Sequence, residues 1–361
     1  MTTTTTYNIS ETMNSTVNFT GFPWAAEDPV YVIVRRTQTV LLPIIIVVGI
    51  IGNSLAVGSF LSKSLRKTSC CLYLGAKSVS DIGFLVSLFI FFLLRVHVTL
   101  LNHQGVCQVT VFLIYFCPFL SIWLVVVITF ENCIRISQPA LVSTICTTAV
   151  AKRVIVGYVV VGLVVYNFPF WTTRIVNGQC ASATELEHIQ RAFTYMDTFL
   201  TLVFPLIIML ILVPLVAISA LSAFKRKKRL VQGQKRVKKN KKAAASPEAQ
   251  VTRMLFAVSV VFFVLHTPSH AIRIKEMIIY MSYSKMPTYQ DQIMQRIFEL
   301  IYYLDFCVSL VVYLIFGRNF RKVFVKQYFQ RCRGKSQSMP FVQNCSSSCA
   351  DSEIFTKKAR Q

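Results

Sequence analysis

Seven long apolar runs divide this chain, and they limit its fold more strongly than any other feature. Each is close to the roughly 20 residues that an α-helix needs to cross the ~30 Å hydrocarbon layer of a bilayer. Of the 361 residues, 54% are hydrophobic and only 15% are charged, which is typical of a polytopic membrane protein. The runs lie at residues 39–62, 71–94, 108–130, 154–171, 198–222, 254–280 and 297–316. The sequence therefore predicts an all-α membrane protein with a seven-helix bundle.

The positive charge of the chain is concentrated between these runs. The formal net charge is +23, and eleven of the eighteen residues from Lys225 to Lys242 are Lys or Arg. That stretch has no aromatic side chain on which bases could stack, so nucleic-acid binding is not expected. Cations also follow the first, third and seventh runs, whereas residues 96–106 contain neither Lys nor Arg. The positive-inside rule then predicts a multi-pass plasma-membrane protein with its N terminus outside and its C terminus in the cytoplasm.

This topology predicts three regions. Residues 1–37 form an exterior segment, and residues 38–317 form the membrane domain, with a basic third inner loop at about 223–250. Residues 318–361 form a short amphipathic helix along the inner leaflet and a cytoplasmic tail. Sequons in the exterior segment predict N-glycosylation at Asn8, Asn14 and Asn18.

The eleven cysteines do not form a disulfide framework once they are placed on this topology. Only Cys107 and Cys180 fall on the exterior side, where disulfides persist, so we expect one disulfide between them. Cys332 follows the amphipathic helix, and two interpretations remain open for it, palmitoylation or an unmodified thiol.

Ionisable residues inside the predicted spans are expensive and need a partner or a function. Lys77 lies one helical turn before Asp81 in the second run, so the two can form an ion pair. Asp305 in the last run is a second carboxylate at comparable depth. Two interpretations remain open: a set of satisfied structural groups, or a polar cavity that holds a cation or transfers a proton.

A series of residues stands in a fixed order along the chain, from the first run to just beyond the seventh: Gly52, Asn53, Ser78, Val79, Ser80, Asp81, Cys107, Ser121, Glu131, Cys180, Pro205, Phe262, Pro268, Tyr313 and Phe320. In this order the chain resembles a divergent member of the rhodopsin-like (class A) G-protein-coupled receptors, similar to a neuropeptide receptor. The resemblance implies a ligand pocket in the outer half of the bundle, covered by a loop that the Cys107–Cys180 bridge holds. It also implies a cytoplasmic cavity for a heterotrimeric G protein, with arrestin as a further candidate partner.

The same resemblance assigns candidate roles to the polar residues of the core. Asn53, Asp81 and Ser121 match positions that surround a sodium ion in this family, and Asp305 and Ser309 belong to the same polar set. Lys77 stands where the family usually has an apolar residue, and its ammonium group could displace that ion. We expect no cofactor and no enzymatic activity, because no metal-ligand cluster or nucleophile–base pair is evident.

At several positions the chain has a different residue from the one that is usual in the family. These positions belong to the part of the family's receptors that faces the G protein or changes conformation on activation. The expected arginine after Glu131 is Asn132, and Cys133 replaces a tyrosine. Glu248 therefore lacks its usual partner, and His266 replaces a tryptophan. The remaining switch positions, Phe262, Pro268 and Tyr313, match the family. Whether the chain couples conventionally to a G protein stays open at this point.

Two ligand classes are not expected. Ile114 stands where amine receptors carry an aspartate, and Tyr303 stands where opsins carry a lysine. The remaining outer residues form a mixed charged set, which suits a peptide but also fits ordinary interfacial side chains: Arg95, Asp197, His270, Arg273 and Glu299. The sequence favours a neuropeptide receptor. The alternatives are a chemosensory receptor for small molecules and, less favoured, a seven-helix transporter or channel.

Overall fold

The computed structural model describes residues 29–233, 247–283 and 288–329. It contains seven helices that are long and apolar enough to cross a membrane, which confirms the predicted seven-helix class. Six of them are α1 (Pro29–Phe60), α2 (Ser69–Arg95), α3 (Val106–Ser137), α4 (Thr148–Val165), α6 (Pro247–Tyr283) and α7 (Tyr289–Phe316). The helix α5 consists of Glu187–Thr198, a π-helical turn at Phe199–Val203, and Phe204–Gly233.

Short elements connect the long helices. Between α2 and α3 there is a 3-10 helix at Thr99–Asn102, and between α3 and α4 there is a 3-10 turn at Pro139–Leu141 followed by the helical turn Val142–Ile145. Between α4 and α5 the chain forms the helical turn Pro169–Thr172, the strands β1 (Thr173–Val176) and β2 (Gln179–Ser182), and a 3-10 turn at Thr184–Leu186. After α7, helix α8 spans Arg318–Tyr328, at the place where a short amphipathic helix was predicted.

Most of the long helices extend beyond the apolar runs that predicted them. Helix α1 begins at Pro29 rather than at residue 39. Helix α5 continues to Gly233 and α6 begins at Pro247, so the third inner loop predicted at about 223–250 is helical at both ends. The apolar runs mark only the part of a helix inside the hydrocarbon layer, because polar residues continue a helix readily once it leaves that layer.

Helix α4 differs in the opposite direction. The fourth apolar run continues to residue 171, but α4 ends at Val165 and the chain resumes as the short helix Pro169–Thr172. Proline has no N–H group, so Pro169 cannot donate to the carbonyl of Val165 four residues before it, and its ring clashes with that carbonyl. Pro169 therefore starts a new helical turn instead of continuing α4.

Helix α3 lies at the centre of the bundle. In its apolar window 67% of the residues are buried, compared with 11% for α4. Ile122 and Val125 of α3 pack with Met209 of α5 and Phe262 of α6. On the other side, Gly162 lets α4 approach closely, because a Cβ atom there would lie only 2.8 Å from the Phe116 ring. The residues that join the two ends of the bundle are therefore expected on α3 and on the helices that contact it.

The β-hairpin before α5 was not predicted from the sequence. Its antiparallel strands pair Ile175 with Cys180, and the turn residues Asn177 and Gly178 have φ angles of 50° and 74°. Both are left-handed, which is the conformation that a two-residue hairpin turn requires and that Asn-Gly adopts readily.

The chain divides into two compact units, residues 1–323 and residues 324–361. The first contains all seven spanning helices. In the second, residues 324–329 are described, and the Phe324 ring packs against Tyr328 with 5.1 Å between ring centroids.

Candidate functional site

The outer end of the bundle is organised by the predicted disulfide. Cys107 at the start of α3 is bonded to Cys180 of β2, with 5.6 Å between their Cα atoms. Two further contacts hold the hairpin: Gln108 Nε2 donates to the Thr173 carbonyl at 3.1 Å, and the Cys180 amide donates to Asn102 Oδ1 at 3.2 Å. The hairpin is thus fixed both to α3 and to the 3-10 helix between α2 and α3.

Two polar contacts join neighbouring helices near this end. Arg273 of α6 lies 3.4 Å from Glu299 of α7, measured from Nη2 to Oε1. The Tyr166 hydroxyl, just after α4, donates to Asp197 Oδ1 of α5 at 2.8 Å. The Arg273 and Glu299 side chains are 41% and 24% exposed, so this pair is accessible at the surface of the bundle.

The other residues that were predicted to line a ligand pocket lie in or beside a more apolar part of the bundle. His270 is buried one turn before Arg273, and its Nδ1 has no hydrogen-bond partner in the described chain. Ile114 and Tyr303 pack against the same apolar cluster, which contains Phe84 and Phe306. Arg95 is the last residue of α2 and is half-buried.

A cluster of charges lies in the middle of the bundle. The ammonium group of Lys77 lies 2.7 Å from Asp81 Oδ2 and 3.3 Å from Asp305 Oδ2. The side chains of Lys77 and Asp81 are 1% and 0% exposed. One lysine of α2 therefore bridges a carboxylate of its own helix and a carboxylate of α7. We call Lys77, Asp81, Ser121, His266 and Asp305 the central cluster.

Two more helices contribute to the central cluster. Ser121 of α3 donates to Asp81 Oδ1 at 2.6 Å. His266 of α6 is buried, and its Nε2 lies 3.5 Å from Asp305 Oδ2. Side chains of α2, α3, α6 and α7 therefore meet in the central cluster. Each of these four helices runs from the outer end of the bundle to the inner end, so the cluster connects the two ends.

The other two residues of the predicted polar core stabilise helices rather than the cluster. Asn53 Nδ2 donates to the carbonyls of Gly49 and Phe306 at 2.9 and 2.7 Å, so it fastens α1 to α7. Ser309 donates to the Asp305 carbonyl of its own helix at 2.9 Å.

These contacts test whether the residues suit the sodium ion that the family resemblance implies. A sodium ion needs several oxygen ligands around a buried carboxylate. Here Asp81 uses Oδ2 for the Lys77 ammonium and Oδ1 for Ser121. Lys77 already provides the positive charge, so the residues present do not suit a second cation.

At the inner end of α3, Glu131 pairs within its own helix. Its Oε2 accepts from Arg135 Nη2 at 3.2 Å and from Ser69 Oγ of α2 at 3.0 Å. Arg135 Nη2 also donates to Ser69 Oγ at 3.0 Å. These three residues link α3 to α2.

Asn132 occupies the position where the family carries an arginine. Its side chain is fully buried, and neither amide atom has a hydrogen-bond partner in the described chain. Cys133 is only partly buried and lies 3.9 Å from Ser137 Oγ, so it takes no part in the Glu131 contacts. The Asn132 amide is thus a buried polar group whose hydrogen-bonding capacity the described chain does not satisfy.

The remaining predicted switch residues lie on α6 and α7. The rings of Phe262 and His266 are 3.8 Å apart between centroids, and Pro268 lies inside α6 two residues further on. Tyr313 is buried, and its ring contacts Phe60 of α1 at 5.0 Å. In the same region Thr129 of α3 hydrogen-bonds Ser259 of α6 at 2.7 Å.

Some predicted positions cannot be placed. Asn8, Asn14, Asn18 and Cys332 lie outside the described residues. Glu248 lies in the first turn of α6, and its side chain is outside the described part of the structure.

Three contacts of the bundle were not predicted from the sequence. The ion pair of Arg135 with Glu131 could have been predicted, because the spacing of four residues places the two side chains on one helix face. Tyr302, whose ring lies 4.7 Å from that of His266, has no comparable signal. Neither has the pair of Gln38 and Arg296, where Gln38 Nε2 donates to the Arg296 carbonyl at 2.9 Å from 258 positions away.

Comparison with known proteins identifies the family of the chain. Over 224 residues the chain is 23% identical to an FMRFamide receptor of Drosophila melanogaster, an alignment that covers 60% of this chain but only 38% of that relative's length. Residues 52–315 match the sequence model of the family described as 7 transmembrane receptor (rhodopsin family). That match covers most of the chain and includes residues from all seven spanning helices. The chain is therefore a receptor rather than an enzyme, and it belongs to the rhodopsin family of seven-transmembrane receptors.

Proposed function

We propose that this chain is a plasma-membrane receptor for an extracellular peptide and that it signals through a heterotrimeric G protein. Its N terminus lies outside and its C terminus lies in the cytoplasm, because the lysine- and arginine-rich connections are then all cytoplasmic. The end of the bundle that carries the Cys107–Cys180 disulfide then faces the oxidising exterior.

The observation that carries this proposal is the Arg273–Glu299 contact. It is partly exposed, joins α6 to α7 and lies one turn above the buried His270. A charged group of a ligand competes for one member of such a pair and thereby changes how α6 and α7 are held together. Bidentate or charge-assisted contacts of this kind are the strong ones in recognition.

The relative's name supports a peptide ligand of a particular charge. In one-letter code FMRFamide is a short peptide with one arginine and an amidated C terminus, so it is cationic and has no terminal carboxylate. For a ligand of this type, Glu299 is the candidate partner of the ligand's arginine, and the ligand would displace Arg273 from it.

The central cluster links the proposed ligand contact to the inner end of the bundle. His270 and His266 are neighbours on α6, with 5.4 Å between ring centroids, and His266 lies beside Asp305 of α7. A change in the α6–α7 contact therefore reaches a bundle junction held by ion pairs. The ligand acts by shifting the population of two helix arrangements, because it binds one of them more tightly.

Binding of FMRFamide to membranes that contain the chain tests the proposed contact. The Glu299→Gln variant should weaken binding about tenfold or more, because it removes a charge-assisted hydrogen bond. An FMRFamide analogue with neutral citrulline in place of arginine should bind more weakly to the wild type. The Glu299→Gln change should not weaken the analogue's binding further.

Asp291→Asn is the matched control. It also removes a carboxylate from an ion pair between α6 and α7, since Asp291 Oδ1 contacts Lys275 at 2.5 Å. We expect it to leave FMRFamide affinity unchanged. Equal weakening of both peptides by Glu299→Gln would contradict the proposed contact. Activation by small metabolites and by no peptide would favour the chemosensory alternative, and the transporter hypothesis has no support in a chain of this receptor family.

A further inference from the structure

Arg95, the last residue of α2, is a half-buried cation without a carboxylate partner among the described residues. Its Nη1 atom is enclosed by the protein and forms no hydrogen bond within the described part of the chain. By contrast, Arg135, Arg273 and Lys275 each contact a carboxylate. Burial of a guanidinium group without a partner is unfavourable, because the group loses water and gains no other ligand. An anion that binds Arg95 therefore meets a group that is already partly desolvated.

One face of α7 lies beside the Arg95 guanidinium. Arg296, Glu299 and Tyr303 follow one another at spacings of three and four residues, so they share a face of that helix. All three act electrostatically on Arg95. The Glu299 carboxylate contacts Arg273 of α6 at 3.4 Å. Arg95 therefore lies near the proposed ligand contact without forming part of it.

Further arginines near Arg95 come from α1 and α7. Arg296 of α7 is buried, and its Nη1 donates to Gln38 Oε1 of α1 at 3.3 Å. Its Cζ atom also lies 5.5 Å from the centre of the Tyr31 ring. Arg35 precedes Gln38 by three residues of α1, and it also acts electrostatically on Arg95. Because like charges repel, an anion beside Arg95 is attracted by more than one arginine.

The donor geometry of Arg95 favours a carboxylate over other anions. A guanidinium group presents its N–H donors in a planar fork that matches the two oxygens of a carboxylate. In the proposed orientation the end of α2 faces the exterior, so the carboxylate belongs to an extracellular molecule. A peptide of the FMRFamide type has an amidated C terminus, and only an acidic side chain can then supply this group.

We propose that Arg95, flanked by Arg296, binds a carboxylate of the extracellular ligand, and that the receptor thereby selects peptides with an acidic residue near their arginine. The ligand's arginine contacts Glu299 and its acidic side chain contacts Arg95. Two contacts of opposite charge hold the peptide in one direction between α2 and α7. The source of the carboxylate rests on the proposed function, whereas the Arg95 subsite itself does not.

Two extended peptides that differ in one charge test this selectivity. FMRFamide is extended at its N terminus by acetyl-aspartate or by acetyl-asparagine, and binding to membranes that contain the full chain is measured. The wild type should bind the aspartate peptide about tenfold more tightly, as expected for a charge-assisted hydrogen bond. In the Arg95→Gln variant the difference should fall below about twofold. We expect this variant to fold, because it removes a half-buried charge and leaves no other group unpaired.

Arg174→Gln is the matched control. Arg174 is an exposed arginine of β1, near the same end of the bundle, and it is not among the charges that act on Arg95. We expect it to preserve the tenfold preference for the aspartate peptide. Equal loss of that preference in both variants would show a diffuse attraction to positive charge and would overturn the subsite.

Thermal unfolding of the purified chain in glutarate, without peptide and against chloride of equal ionic strength, measures the subsite alone. Glutarate should raise the Tm of the wild type and of Arg174→Gln but not of Arg95→Gln, because an anion that binds only the folded state stabilises it. A glutarate effect that is absent, or that persists in Arg95→Gln, would overturn the subsite.

The two measurements also separate the possible sources of the carboxylate. An Arg95-dependent glutarate effect together with equal affinities of the two peptides would assign the site to small free acids and overturn the peptide source. If neither peptide binds, the proposed function fails, and the glutarate measurement still decides whether the subsite exists.

Discussion

Lys77 introduces a full charge into a part of the bundle where one charge costs at least about 2.5 to 3.5 kcal/mol to insert. The structure offsets that cost by placing its ammonium group between the carboxylates of Asp81 and Asp305. Both carboxylates depend on the same cation, because Ser121 and His266 are their only other close polar side-chain partners among the described residues. Lys77 is thus a tethered cation that holds α2 to α7.

Replacement of Lys77 should show that the two carboxylates depend on its ammonium group. In the wild type we expect ligand affinity and thermal stability to be insensitive to sodium. The Lys77→Leu variant leaves two buried carboxylates without a cation and should lose about 3 to 5 kcal/mol of stability when sodium is absent. A hard cation with oxygen ligands can then replace the ammonium group, so sodium should restore stability and alter FMRFamide affinity. Thermal unfolding in sodium and in choline salts measures the effect.

A second substitution separates charge from packing. In Lys77→Leu/Asp305→Asn one of the two uncompensated charges is gone, so the sodium effect should shrink. A wild-type receptor whose affinity responds to sodium would contradict the tethered-cation account, and so would a Lys77→Leu variant that sodium does not stabilise.

The sequence predicted only part of this cluster. Lys77 and Asp81 are four residues apart, so helix geometry alone brings them together. The contact of Lys77 with Asp305 joins positions separated by 228 residues and depends on how α7 packs. His266 was identified by its departure from the family, but its place beside Asp305 required the structure.

The β-hairpin before α5 is the element that most clearly combines local and long-range constraints. Asn177 and Gly178 set its turn, and the disulfide and Gln108 fix it to α3. The disulfide closes a loop of 73 residues in sequence separation, which restricts the unfolded chain substantially.

Loss of the disulfide should therefore affect the whole outer end. We predict that Cys180→Ala costs about 2 to 5 kcal/mol of stability and reduces delivery to the cell surface. Cys307→Ala is the control, because it removes a free cysteine that lies in α7. Thermal unfolding and surface labelling compare the two variants. Normal expression of Cys180→Ala with intact peptide binding would contradict the prediction.

Elements were easier to predict than their limits. The number and type of spanning helices followed from apolar length, because a bilayer demands it. The hairpin was missed although Asn177-Gly178 is a strong turn signal, because the flanking strands are only four residues long. The end of α4 at Val165 depended on Pro169, which hydropathy does not detect.

Over the whole molecule, several departures from the family lie in the buried interior of the bundle. They include Lys77 and His266 in the central cluster and Asn132 at the inner end of α3. The Glu131 carboxylate, which lacks an arginine at the next position, is held instead by Arg135 and Ser69. The described contacts of Glu131 therefore join α3 to α2, and none of them reaches α6.

This arrangement makes coupling without the expected arginine the most informative property to measure. G-protein activation should be recorded in cells that express the wild type or the Asn132→Arg variant at matched surface levels, against a library of amidated peptides that includes FMRFamide. We predict that the wild type responds to a peptide and that coupling tolerates Asn132. A response from the Asn132→Arg variant alone would contradict signalling through a G protein by the native chain and favour arrestin, and a response from neither would contradict the peptide-receptor account itself.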